Sequence, residues 1–176
     1  FRHAYDNQKW LLAARLKHQN YPFAGISGSN TSAENYILEF YGLNTVGNDI
    51  YNGPFLVTAS VSNTVGKQFL GNSKRVYAGA HRTNFTGSLI EESDVKISQV
   101  RFWQSYLDDD ILKQHAYDPT NYGTEHPLQS DNVFYNENLN VPMLETLALH
   151  WDFGTVTGSD SNGTFTFGDR SSGSLA

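Results

Sequence analysis

The chain has no cysteine and only one methionine in 176 residues. No disulfide can hold its fold, which weighs against a small secreted module built on cross-links. Charge is sparse: Asp, Glu, Lys and Arg make up 17%, and the formal net charge is −6. An acidic balance of this kind disfavours a phosphate backbone as partner, so no nucleic-acid binding is expected. No apolar run approaches the roughly 20 residues of a membrane-spanning helix, so no membrane span is expected either. The first residue is Phe1, and no signal-peptide pattern follows it. The chain therefore reads as a fragment, a processed product or part of something longer.

Turn and strand formers are abundant. Aromatics reach 14%, there are 15 Gly, and Asn, Ser and Thr are frequent. This composition favours strands and turns over helices. The length suits one domain of ordinary size. Asn30, Asn84 and Asn162 open glycosylation sequons, which a chain this rich in Asn, Ser and Thr carries by chance.

Along the chain, Lys9 to His18 alternates Trp10, Leu12, Ala14 and Leu16 with Leu11, Ala13, Arg15 and Lys17. This suits a strand, with a helix as the competing reading. Asn20 to Asn35 reads as loop. Tyr36 to Tyr41 reads as a strand with Tyr36, Leu38 and Phe40 on one face. Gly42 to Pro54 reads as loop, and Phe55 to Val61 as a strand with Phe55, Val57, Ala59 and Val61 inward. No element is assigned between Val61 and Arg75. Arg75 to Ala80 reads as a short strand, and His81 to Asp94 as an exposed loop. Val95 to Trp103 is the strongest strand pattern. Val95 and Ile97 are out of phase with Val100 and Phe102, which predicts a bulge near Ser98 and Gln99.

Ser105 to Tyr117 reads as the helix of the chain, capped by Ser105 or Asp108, with Asp109 and Asp110 in its first turn. Leu107, Ile111 and Leu112 give it an apolar face, and Pro119 ends it. Asp118 to Met143 is long, polar and irregular. Leu147 to Phe153 alternates Leu147, Leu149, Trp151 and Phe153 against Ala148, His150 and Asp152, which places His150 on the exposed side or at an interface. Thr164 to Phe167 repeats a strand pattern, and Gly168 to Ala176 reads as turn or linker.

Three segments of this pattern carry a family resemblance. Val100-Arg101-Phe102-Trp103 leads into Leu107-Asp108-Asp109-Asp110-Ile111, and Gly79, Phe85 and Gly87 precede them at set spacing. This resembles the ending shared by laminin G-like and concanavalin A-like jelly-roll domains. The strand with Trp10 is similar to their tryptophan-bearing strand, so the likeness covers about Asn7 to Tyr117. The opening strand of that family is missing before Phe1. Something like it stands at the other end, in Leu149-His150-Trp151-Asp152-Phe153 and then Asp169-Arg170-Ser171-Ser172-Gly173. The combination is also similar to segments of large virion structural proteins of marine tailed phages.

The resemblance implies an all-β fold, a two-sheet antiparallel jelly-roll sandwich with one short helix. It implies a jelly roll over 1–118, a loop or linker over 119–146, and further strands over 147–176 that complete the sandwich or start another domain. It further implies a non-enzymatic structural or adhesion module in a phage virion, with other virion subunits or repeats of the same chain as partners. The alternative is an extracellular lectin-like module for host-surface glycans or polysaccharide. Fold likeness alone does not settle such a choice.

The chemistry-bearing residues give little support to catalysis. Concanavalin A-like glucanases need paired carboxylates on one strand face. Glu92 and Asp94 supply two, but the next required position holds Ile97. For calcium, the oxygen donors Asn48 and Asp49 cluster within Asn44 to Asn52, and others lie in Asp131 to Asn140, without the spacing of a known calcium loop. Asp108, Asp109 and Asp110 suit a helix start better than a metal. His3, His18, His81, His115, His126 and His150 are scattered without the spacing of a zinc site. No hydrolase elbow, phosphate loop or dinucleotide fingerprint occurs. For glycan stacking, the loop aromatics Tyr21, Tyr51, Tyr122 and Tyr135 stand beside many Asn.

Overall fold

The computed structural model describes residues 8–22, 34–47, 49–118, 146–162 and 164–171. The chain divides into two compact units, Phe1–Asn72 with Tyr106–Pro142, and Ser73–Ser105 with Met143–Ala176. The architecture is mostly β with antiparallel pairing throughout, as the composition leads one to expect.

The first unit is built on β1 (Trp10–His18), β2 (Tyr36–Val46) and β3 (Asp49–Val61), in the spatial order β1-β2-β3. Lys9 to His18 is thus a strand and not a helix. Gly42 to Pro54 is not a loop: β2 runs on to Val46, and β3 returns from Asp49. Gly47 takes a positive φ of 62° in the tight connection, which is where a glycine is needed. The Gly and Asn content that reads as loop is absorbed by register shifts around Asn44 and by a positive φ of 103° at Gly53.

Register puts Leu12, Ala14 and Leu16 of β1 beside Gly42, Phe40 and Leu38 of β2, and these beside Phe55, Val57 and Ala59 of β3. Partners across an antiparallel ladder share a face. The apolar sets read from the sequence therefore do fall on one side of one sheet. That side is not the buried one. Leu12 is 55% exposed, Leu38 43% and Val57 49%. The core lies on the opposite side, where Tyr41 and Leu43 are fully buried under Leu107, Leu112 and Ala116.

Those last residues belong to α2 (Asp109–Tyr117) and the turn before it. Asp108 caps α2 by accepting from the Ile111 N–H at 2.9 Å, and Asp109 and Asp110 fill the first turn. At the far end, the Ala116 carbonyl accepts from Thr45 Oγ1 at 3.1 Å and from Lys9 Nζ at 2.9 Å. Side chains of the sheet thus satisfy a carbonyl that the helix cannot satisfy itself.

A second helix, α1 (Asn63–Gly71), corrects the expectation of one. Ser62 caps it, accepting from Val65 N. Two glycines make its intrinsic propensity poor. One of them, Gly66, is buried against the Tyr36 ring and lets the helix approach the sheet.

The second unit holds three strand pairs: β4 (Ala80–Arg82) with β5 (Leu89–Glu92), β6 (Gln99–Trp103) with β7 (Leu147–Asp152), and β8 (Gly158–Ser159) with β9 (Phe165–Thr166). His81 to Asp94 is exposed as expected, but it forms a hairpin in place of a loop. Arg75 to Gly79 is not strand. Val95 to Ser98 precede β6, so the phase change read as a bulge is a strand boundary. The register shift lies instead between Phe102 and Trp103, where Ala148 is the extra residue on β7. That insertion breaks the alternation of Leu147 to Phe153. His150 is accordingly buried, with 2% exposure, and not on an outer face. Trp151, Phe153 and Phe167 form an aromatic cluster here, with ring centroids 4.6–6.5 Å apart.

Gly42 offers a direct check of the sheet packing. A Cβ there falls inside the Phe55 ring. Gly42→Ala is expected to push that ring off the sheet and cost about 1–2 kcal/mol in urea unfolding; an unchanged midpoint contradicts the packing described.

Candidate functional site

The densest chemistry in the first unit is a charge cluster on the α2 side of the sheet. Arg15 and Glu39 are register partners on β1 and β2, so their side chains leave the sheet together. Arg15 NH2 lies 2.8 Å from Glu39 Oε2, and Arg15 NH1 lies 2.7 Å from Asp109 Oδ1. The same NH1 donates to the Leu107 carbonyl at 3.0 Å. Lys17 Nζ is 2.7 Å from Glu39 Oε1, and the Tyr106 hydroxyl donates to Glu39 Oε2 at 2.8 Å. The Arg15 guanidinium also lies 5.3 Å from the Tyr41 ring centroid and 5.0 Å from that of Tyr106.

The carboxylate and guanidinium are both buried. Taking an ion pair out of water costs several kcal/mol per charge unless geometry and hydrogen bonds offset it. Here Glu39 receives Arg15, Lys17 and Tyr106. Burial pushes its carboxyl up, yet the hydrogen bonds from Lys17 and Tyr106 and the charges of Arg15 and Lys17 hold it below the ordinary range. Lys17 is raised, first by its bond to Glu39. Burial raises Tyr106 and Tyr41. Arg15, Lys17, Glu39, Asp109 and the Tyr106 hydroxyl are each engaged with another, an arrangement that fixes positions.

Among the described residues, the site candidates read from the sequence are not brought together. Tyr21 follows β1, is exposed, and packs its ring 5.0 Å from Tyr106. Tyr51 is 63% exposed, at the hairpin end of β3. Strand register sets these two at opposite ends of the sheet, roughly 25 Å apart. Tyr122 and Tyr135 lie outside the described residues. Asp49 is exposed at the start of β3, and Asn48 lies outside the described residues. No group of three or more His, Asp or Glu that could hold a metal occurs among the described residues. The Asp108 to Asp110 triplet is accounted for by the cap, the Arg15 pair and a 2.9 Å pair with Lys113. Glu92 ends β5 and Asp94 follows it, both exposed.

The second unit has a cluster that no single motif signals. Asp169 Oδ1 accepts from the backbone N–H of His150 at 2.8 Å and of Ser171 at 2.9 Å. The Arg170 N–H donates to the His150 carbonyl at 2.8 Å, and its guanidinium lies 3.2 Å from Asp152. Burial raises the Asp169 carboxyl, but the Ser171 and His150 N–H bonds bring it below the ordinary range. Burial and the Arg101 charge lower His150. Asp152 is lowered by the Gly154 N–H and the Thr155 hydroxyl. The two pieces of the sequence echo, around His150 and around Asp169, are therefore direct neighbours. Their separation of 19 positions hides this in the sequence.

No family model, no curated protein and no solved structure matches the chain.

Two measurements check this chemistry. Glu39→Gln leaves the buried Arg15 without its main counter-charge and is expected to cost about 3–5 kcal/mol in urea unfolding; a cost below 1 kcal/mol on the same scale contradicts it. The pH dependence has a defined sign. His150 is lowered from 6.5, so the unfolded chain binds its proton first, and stability drops as pH falls below that value. Glu39, lowered from 4.5, adds stability above that value and loses it as pH falls through its folded value. Urea midpoints are expected to start falling below 6.5, and His150→Gln is expected to remove that first phase.

Proposed function

We propose that the chain is a non-enzymatic structural or adhesion module of the laminin G-like or concanavalin A-like jelly-roll kind, working inside a large assembly. Its sequence likeness to virion proteins of marine tailed phages makes a phage particle the proposed setting. Partners would be other particle subunits or repeats of the same chain. The observation that carries the reading is the apolar side of the β1-β2-β3 sheet. Leu12, Leu38 and Val57 stand exposed on it, and exposed apolar residues gathered on one face mark contact sites. The charge cluster on the other side supports the same reading, because it stiffens the sheet. No helix among the described residues is long and apolar enough to cross a membrane.

Lysine-directed cross-linking of purified particles tests this. Lys67, Lys74 and Lys96 are exposed. Cross-links from them to other particle subunits are expected. Absence of the polypeptide from particles, or cross-links formed only within single molecules, refutes the reading.

A glycan-binding reading has one observation in its favour. Tyr21 is 41% exposed while its ring is held by Tyr106, which presents an aromatic surface of fixed orientation. On that reading a glycan array gives binding that Tyr21→Ala abolishes. An array without binding removes it and leaves the structural reading in place.

A further inference from the structure

The exposed sheet side carries more information than its apolar character. Its small and large residues follow a pattern across the strands. In one row, Ala14 of β1 and Val57 of β3 flank Phe40 of β2. In the next, Leu16 of β1 and Ala59 of β3 flank Leu38. Small and large residues thus exchange edges from one row to the next.

We propose that this side of the sheet is the interface between two copies of the chain, packed face to face about a two-fold axis running along β2. Such an axis lays β1 of one copy over β3 of the other. Ala14 then meets Val57 of the second copy, and Leu16 meets its Ala59. In these two rows each small edge residue faces a large one, which is how packed layers interdigitate, and in the third row Leu12 meets Phe55 beside the gap at Gly42. Leu38 and Phe40 lie on the axis and meet their own counterparts. The contact is isologous, so it closes at two copies.

Charge favours the same occupant. Each copy carries a net charge of −6, so two copies repel through most of their surfaces. The rows from Leu12 to Leu38 hold no charged residue, whereas Arg15, Glu39 and Lys17 all leave the sheet on its other side. This face is where copies meet without opposing like charges. At the end of the same face, α1 abuts Tyr36 through Gly66, and it presents exposed Phe69 and Leu70. Three strands at ordinary spacing offer roughly 400 Å² of projected sheet per copy. With side-chain relief and the α1 flank, two copies bury about 1,200 Å², the lower end of the range for specific complexes.

The inference rests on the contact-module reading above and makes one of its partners a second copy. The test is the solution mass of the chain, followed by cysteine cross-linking. Sedimentation at high micromolar concentration is expected to give twice the 19.7 kDa of one chain. Leu38→Glu is expected to halve that mass while the circular dichroism keeps its strand signal. The cysteine-free background allows an independent check should that variant fail to fold. Leu38→Cys, on the axis, is expected to give a covalent dimer with a thiol-to-thiol cross-linker of about 10 Å, the spacing of packed sheets, and Thr58→Cys, on the opposite side, is not. A monomer at every concentration overturns the proposal, as does equal cross-linking at both positions. Binding of an apolar dye then separates the two readings. A monomer that binds the dye has an open face for a different partner, so the contact-module reading stands. A monomer that binds none has that face covered within its own chain, and both fall.

Discussion

Arg15 is the residue on which the first unit depends. Its guanidinium ties the edge strand β1 to β2 through Glu39, and to α2 through Asp109 and the Leu107 carbonyl. Two aromatic rings flank it, so its charge is shielded from water. A lysine could not replace it, because one ammonium cannot serve two carboxylates and a carbonyl in a planar fork. The pairing is expensive to assemble in a low-dielectric site, and this makes it selective. Only one placement of α2 on the sheet satisfies it, whereas the apolar contacts of Leu112 and Ala116 tolerate sliding.

The consequence for the sheet is that α2 covers its polar side over β1 and β2, while Leu12, Leu38 and Val57 stay exposed on its apolar side. This inverts the usual arrangement, in which an antiparallel sheet turns its apolar face to the core and its polar face to water. The inversion follows from where charge sits in β1 and β2. Arg15, Lys17 and Glu39 need partners more urgently than Leu12 or Val57 do, since an unpaired buried charge costs far more than an exposed methyl group. Tyr106 and Asp109 supply those partners within the chain.

Much of this was legible in the sequence. The alternation of Trp10, Leu12, Ala14 and Leu16 placed them on one side of a strand, and Tyr36, Leu38, Phe40 and Phe55, Val57, Ala59 likewise. Which side is covered could not be read, because that depends on the packing of α2 from about 90 residues away. Asp108 as a helix cap was legible, since a helix start explains the whole acidic triplet. The loop reading of Gly42 to Pro54 failed because composition does not separate a loop from a bulged hairpin. His150 was misplaced by the single extra residue at Ala148, to which a period of two is blind. Of the two aromatic candidates among the described residues, Tyr21 and not Tyr51 stands near the charge cluster, and the ring beside it, Tyr106, gave no signal because it lies in the turn before a helix.

The division of the chain has a consequence for how it can be cut. Ser73–Ser105 belongs to one unit, yet the chain on both sides of it belongs to the other. β6 and β7, which pair with each other, are contributed by two passes separated by α2 and the residues that follow it. A chain ending after α2 keeps β6 but loses the strand that satisfies its backbone, exposing a ladder of bare N–H and C=O groups ready to pair with another molecule. Shortened forms that end between Tyr117 and Thr146 would therefore be prone to aggregate for a topological reason, however well the three-stranded sheet itself is made.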